Sequence, residues 1–204
     1  MGATLRKHLG ILIVVLGAGI TAAAQSSTVP ATESQMHPIT QDLLATTVFQ
    51  DRVNDYIALH RLLEGPLPPL RTTTNIDEIR ITMKLLAGRI VLARQHAAQG
   101  DIITADVARM FRRRIATCLP PEEWAAILAE LAEDEEGDPV PAVALRVNMP
   151  WPEHISFGFV PSQLLYALPP LPAELQYRII GRSLVLWDHH ANLIVDFLPG
   201  AFTT

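Results

Sequence analysis

One cysteine, Cys118, among 204 residues excludes an intrachain disulfide, so stability has to come from packing even in an oxidising compartment. Charge is also sparse. Charged residues are 18% of the chain and the net charge is -5, which removes the basic excess that nucleic-acid binding requires. Lysine is nearly absent, with Lys84 the only one after residue 24. Three motifs are missing as well: no G-x-S-x-G elbow, no phosphate-cradling Walker loop, and no G-x-G-x-x-G following a strand. Hydrolase, nucleotide-binding and dehydrogenase readings therefore lose their usual sequence support, and neither a catalytic residue nor a cofactor is expected.

Hydrophobic residues, by contrast, reach 49%, enough for one domain with a substantial core. The first 24 residues stand apart. Arg6 and Lys7 precede an apolar stretch from Leu9 to Ile20, and Ala22-Ala23-Ala24 supplies small residues at the cleavage positions. This pattern predicts a secretory signal peptide (1–24) cut after Ala24 and a periplasmic or secreted protein. The stretch is shorter than the roughly 20 apolar residues a comfortable bilayer span needs, which favours cleavage over the alternative, an uncleaved membrane anchor. Losing Arg6 and Lys7 leaves 14 basic against 21 acidic residues, a net of -7.

Residues 25–41, rich in Ser, Thr, Pro and Gln, read as a flexible leader. A helical region over 42–136 follows. Phe49, Val53, Tyr56, Ile57, His60 and Leu63 recur at helical steps until "GPLPPL" stops the helix. Thr74 with Asp77 makes a capping pattern for a second helix carrying Ile79, Met83, Leu86, Ile90, Ala93 and Ala97, ending at Gly100. That seam suits closure on the same chain or on a second copy, so a homo-oligomer is one expectation. A third helix begins after Thr104. A fourth begins at Pro121, with Trp124, Ile127, Leu128 and Leu131 as its stripe. Cys118 follows Val107, Met110, Phe111 and Ile115 on one apolar face and is expected to be buried and inert. The acid run "EDEEGDP" lacks the EF-hand spacing and reads as a solvated helix end.

Eight of the 16 prolines fall between Pro139 and Pro172, so 137–173 is expected to be a Pro-rich connecting segment, with one strand at Val143–Met149 and a short helix at Ser162–Ala167. Over 174–204, "LQYRII", "SLVLW" and "NLIVDFL" predict an antiparallel meander and tail. Its inner face should hold Tyr177, Ile179, Leu184, Leu186, Leu193, Val195 and Phe197. The expected fold is α+β: an N-terminal bundle of about four helices, with one long antiparallel pair, packed on a C-terminal three-stranded β-meander. Residues 42–204 form one domain.

Two clusters invite chemistry. Asp188, His189 and His190 sit at the second turn of the meander and are the candidate metal ligands. Zinc ligands usually sit about two to five residues apart, however, and consecutive residues on extended chain point apart, so a plain polar turn is favoured. Asp196 lies about 20 Å along an extended chain from His190 and is expected opposite Leu184, pairing with Arg178 or Arg182. A further ligand would come from His154, Glu153 or His37. His60 and His96 lack an HExxH or HxxxH partner. The second cluster, Arg112, Arg113 and Arg114, spreads over about 200° of helix arc; a structural role is favoured, with an anionic partner as the functional alternative.

"FQDRVNDYIALHRLLE", "LPPL", "QGDI" with "FRRRI", and "LPAELQYRIIGRSLVLWDHHANLIVDFLP" together resemble an uncharacterised family of exported bacterial proteins with no assigned activity. The resemblance spans most of the chain after residue 45 and implies export without transferring any site residue. The first expectation is thus an exported, non-catalytic binding or interaction module of the cell envelope whose partner is an envelope protein or glycan. The alternative is a metal-binding protein or metal-dependent enzyme using the Asp188-His189-His190 turn.

Overall fold

The structure, a computed structural model, describes residues 37–67, 76–133 and 137–202. The expected signal peptide, most of the leader, the Thr74 cap and the centre of the acid run lie outside them.

Chain order is α1 (Pro38–Glu64), α2 (Ile76–Ala93), α3 (Ala105–Cys118), α4 (Pro121–Glu130), α5 (Ser162–Ala167), β1 (Leu175–Ile180), β2 (Ser183–Asp188) and β3 (Leu193–Leu198). This is the α+β arrangement expected, with helices followed by an antiparallel sheet of order β1-β2-β3. None of the described helices is long and apolar enough to cross a membrane.

α1 starts four residues before the expected boundary. Pro38 occupies its first turn and His37 caps it, the ring accepting from the Ile39 N–H at 3.4 Å. Its buried face is Ala45, Phe49, Val53, Tyr56, Ile57 and His60. Helix α2 ends at Ala93, short of Gly100, and of the expected seam only Leu86 and Ile90 are buried. Arg94 turns away from the helix to bond the Val195 carbonyl at 3.2 Å and the Asn148 side chain at 3.1 Å. α1 packs against both α2 and α3, and α3 against α5. Thr104 occupies the α3 cap position without a side-chain bond. On α4 only Trp124 is fully buried; Ile127, Leu128 and Leu131 are half-buried against the same core. Cys118 is half-buried, with its thiol on the Ile115 carbonyl and its pKa raised by burial.

The sheet separates two apolar layers. Leu175, Tyr177, Ile179, Leu184, Leu186, Leu193 and Val195 pack on the helices, where Tyr177 meets Phe49 and Phe111. Trp151, Ile180, Val185, Trp187 and Ile194 form a smaller cluster on the other face, beneath the Pro-rich segment. That segment has no strand at 143–149. Its backbone meets β3 at one isolated bridge, Pro150 with Leu193, and at Asn148 and Met149, whose backbones bond Ile194.

One sheet irregularity changes the side-chain faces. Leu186 pairs with Asp196 while the next residue, Trp187, pairs with Ile194, so β3 carries one extra residue at the bulge. Alternation flips beyond it: Phe197 joins the outer cluster rather than the helix-facing core, and Leu198 turns inward. Asp196 sits opposite Leu186, not Leu184, and pairs with neither Arg178 nor Arg182. The bulge aims its buried carboxylate sideways at the α2–α3 loop, where it accepts N–H bonds from Gly100, Ile102 and Ile103 at 2.8 to 2.9 Å.

Candidate metal centre

The C-terminal half of α1 places Tyr56, His60 and Glu64 at four-residue steps, so the three side chains stack along one helix face. The second meander turn closes over them. Asp188, the last residue of β2, is fully buried and anchors that turn, its Oδ1 accepting the Ala191 N–H at 2.9 Å. Its other oxygen, Oδ2, accepts the Tyr56 hydroxyl at 2.6 Å and lies 2.6 Å from His60 Nδ1. An ionised carboxylate only accepts, so His60 donates from Nδ1 and Nε2 points the opposite way.

On that side stands Glu64. His60 Nε2 is 3.4 Å from Glu64 Oε2, and His190 Nδ1 is 3.4 Å from Glu64 Oε1. Both nitrogens are buried and neither has a hydrogen-bond partner among the described residues. One ligand atom from each of His60, Glu64 and His190 can be chosen so that all lie within 4.8 Å of one another. Tetrahedral zinc with bonds of about 2.0–2.1 Å has ligand-to-ligand edges of about 3.3–3.4 Å. Each spacing, one to either Glu64 oxygen, is near that edge, whereas a direct N–H to carboxylate hydrogen bond would be about half an ångström shorter.

The electrostatics favour a cation. Burial works against charge on His60, but the hydrogen bond and charge of Asp188, helped by Glu64 and Glu174, outweigh it and hold the pKa above its ordinary 6.5. Burial likewise opposes ionisation of Asp188, and the bonds from His60, Tyr56 and the Ala191 amide overcome it, so its pKa falls below the ordinary 3.8. Tyr56 is pushed far upward by burial and by the adjacent Asp188 charge, and stays a donor. Glu174, nearby, is paired with Arg61 at 2.7 Å; its second oxygen is buried and has no hydrogen-bond partner among the described residues.

The expected ligand set is thus redistributed. His190 faces Glu64. Asp188 is outside this group; it lies behind His60 and fixes the ring through Nδ1. His189 turns away, its Nε2 on the Ala173 carbonyl at 2.7 Å and its N–H on the Glu174 carbonyl. Neither His154, Glu153 nor His37 belongs to the group. A search for a second histidine near His60 misses Glu64. His-x-x-x-Glu puts two ligands on one helix face just as His-x-x-x-His does, and that spacing was the available signal.

The arginine cluster is engaged internally. Arg112 bonds the Pro199 carbonyl, Arg113 pairs with Asp42, and Arg114 reaches the Ala167 carbonyl and the Thr46 hydroxyl, tying α3 to α1, α5 and the tail. No protein family, curated protein or solved structure matches the chain.

Proposed function

We propose that this is an exported metal-binding protein of the cell envelope that takes one divalent transition-metal ion, of the zinc class, between α1 and the β2–β3 turn. His60 Nε2, Glu64 and His190 Nδ1 are the ligands. The observation carrying this reading is the convergence on one carboxylate, 3.4 Å away in each case, of two buried imidazole nitrogens that have no hydrogen-bond partner among the described residues. Two imidazoles and a carboxylate suit zinc, nickel or copper better than the oxygen-seeking calcium or magnesium. Asp188 supports the set from behind, and such outer carboxylates raise ligand basicity. Three protein ligands leave a zinc ion a fourth position for water or a partner's side chain, with Lewis acidity as the chemistry the ion supplies. Export rests on the basic-apolar-small pattern of residues 1–24.

Calorimetric titration of chelator-treated protein with zinc tests the reading. One ion per chain is expected, with affinity reduced at least tenfold in Glu64→Gln and in His190→Ala, and no heat from magnesium at the same concentration. Equal zinc binding by the wild type and both variants would end it.

A further inference from the structure

We infer that a second site, independent of the metal centre, binds an unbranched aliphatic carboxylate in the cavity between β1 and the 157–171 segment. The cavity measures about 540 Å³, inside the roughly 300–1,000 Å³ range of small-molecule sites. Its walls are largely apolar, with Phe159, Val160, Leu165, Leu171 and Leu175 among them, and Arg178 is the one charged side chain on the lining.

Arg61, Arg80, Arg109 and Arg113 each pair with a carboxylate, and Arg89, Arg94 and Arg112 donate to backbone carbonyls, whereas no acidic side chain pairs with Arg178 among the described residues. It is half-buried, donates to the Gln176 side chain, and lies over Phe157 and Trp187 with 5.4 and 5.6 Å from guanidinium carbon to ring centroid. Its Nε is buried without a hydrogen-bond partner among the described residues. Stacking uses the faces of the guanidinium and leaves its in-plane N–H groups for hydrogen bonding, the geometry that matches a carboxylate. A half-buried, uncompensated cation at the wall of an apolar cavity is complementary to an anion with an apolar body. At the rim Phe159 and Leu165 are exposed, 68% and 48%. Gln176 and Arg178 are the only lining side chains able to donate strong hydrogen bonds apart from Tyr177, whose hydroxyl is taken by the Pro169 carbonyl. Few lining side chains offer partners to a peptide's amide groups, whereas a hydrocarbon chain needs none.

Trp187 beside Arg178 supplies the readout. With the full chain in excess chelator, so that the metal reading plays no part, decanoate below its micellar concentration is expected to change tryptophan emission saturably. Decanol should bind at least about tenfold more weakly, because it cannot make the charge-assisted bonds. Arg178→Gln should bring decanoate down to the level of decanol, and Leu171→Trp, which fills the cavity, should weaken both. Absence of a saturable change with decanoate, equal affinity for decanol, or tighter binding of a Leu-Leu dipeptide carboxylate would each overturn the assignment. The ligand comparisons use wild-type protein, so they decide even if a variant fails to fold.

Discussion

Replacing Asp188 by Asn changes one oxygen to an amide nitrogen at almost constant volume, and the structure sets out the consequences. The wild-type carboxylate accepts from three donors, the Tyr56 hydroxyl, His60 Nδ1 and the Ala191 amide, and is fully buried. Asparagine has one acceptor oxygen. If that oxygen keeps the Ala191 N–H, its NH₂ faces Tyr56 and His60. The hydroxyl can rotate, but His60 must then accept at Nδ1 and carry its proton on Nε2, the nitrogen directed at Glu64. Breaking one side of a buried charged pair costs about 3–5 kcal/mol. At about 2–4 °C per kcal/mol for a chain of this size, the melting temperature should drop by roughly 6–20 °C. The wrong tautomer should also weaken zinc binding about 10–100-fold, although every ligand is intact. Thermal melts of the metal-free variant and a chelator competition with zinc measure the two effects separately. A loss under about 1 kcal/mol, or zinc affinity equal to wild type, would refute this account of Asp188.

Three further outcomes follow from the same geometry. Burial raises the Glu174 pKa, but the Arg61 bond and charge, a backbone amide and His60 together hold it below its ordinary 4.5, so its stabilisation is complete above pH 4.5 and is lost as pH falls through the folded value. Urea midpoints between pH 7 and pH 3 should therefore fall less steeply in Glu174→Gln, and an unchanged slope would remove Glu174 from the acid response. Zinc must displace the proton from His60, whose pKa lies above 6.5, so zinc affinity should already decline with acidification above pH 6.5; titrations at pH 8, 7 and 6 that gave one affinity would contradict this. Asp196→Ala strips the acceptor from Gly100, Ile102 and Ile103 and should cost about 2–4 kcal/mol, with faster amide exchange at 100–103 than elsewhere. Uniform exchange would mean that the carboxylate does not hold that loop.

The fold was legible wherever periodicity was uninterrupted. The buried stripe of α1, the short α5 and the three strands all follow from local pattern and turn chemistry. What failed was set by contacts distant in sequence. Helix α2 stops at Ala93, where the Arg94 side chain reaches acceptors on β3 and beside it, and the Val143–Met149 alternation yields only a bridge where the chain meets β3 at Pro150. Phe197 changes face because of a bulge, which leaves no mark in alternation and is fixed by the Asp196 bonds to the α2–α3 loop. The site was half legible. "DHH" drew attention to the correct turn, but only one of its two histidines faces Glu64, and the choice between them depends on which side of the turn α1 occupies. Glu64 and His190 are 126 positions apart, and no spacing rule within one segment joins them.

The most direct measurement is an anomalous difference map, collected at the zinc absorption edge, from crystals of chelator-treated protein soaked in one equivalent of zinc. A single strong peak within about 2.0–2.2 Å of His60 Nε2, a Glu64 oxygen and His190 Nδ1, with Asp188 still on His60 Nδ1, is the expected result. A peak on His189 or Asp188 instead, or none near α1, would contradict the account.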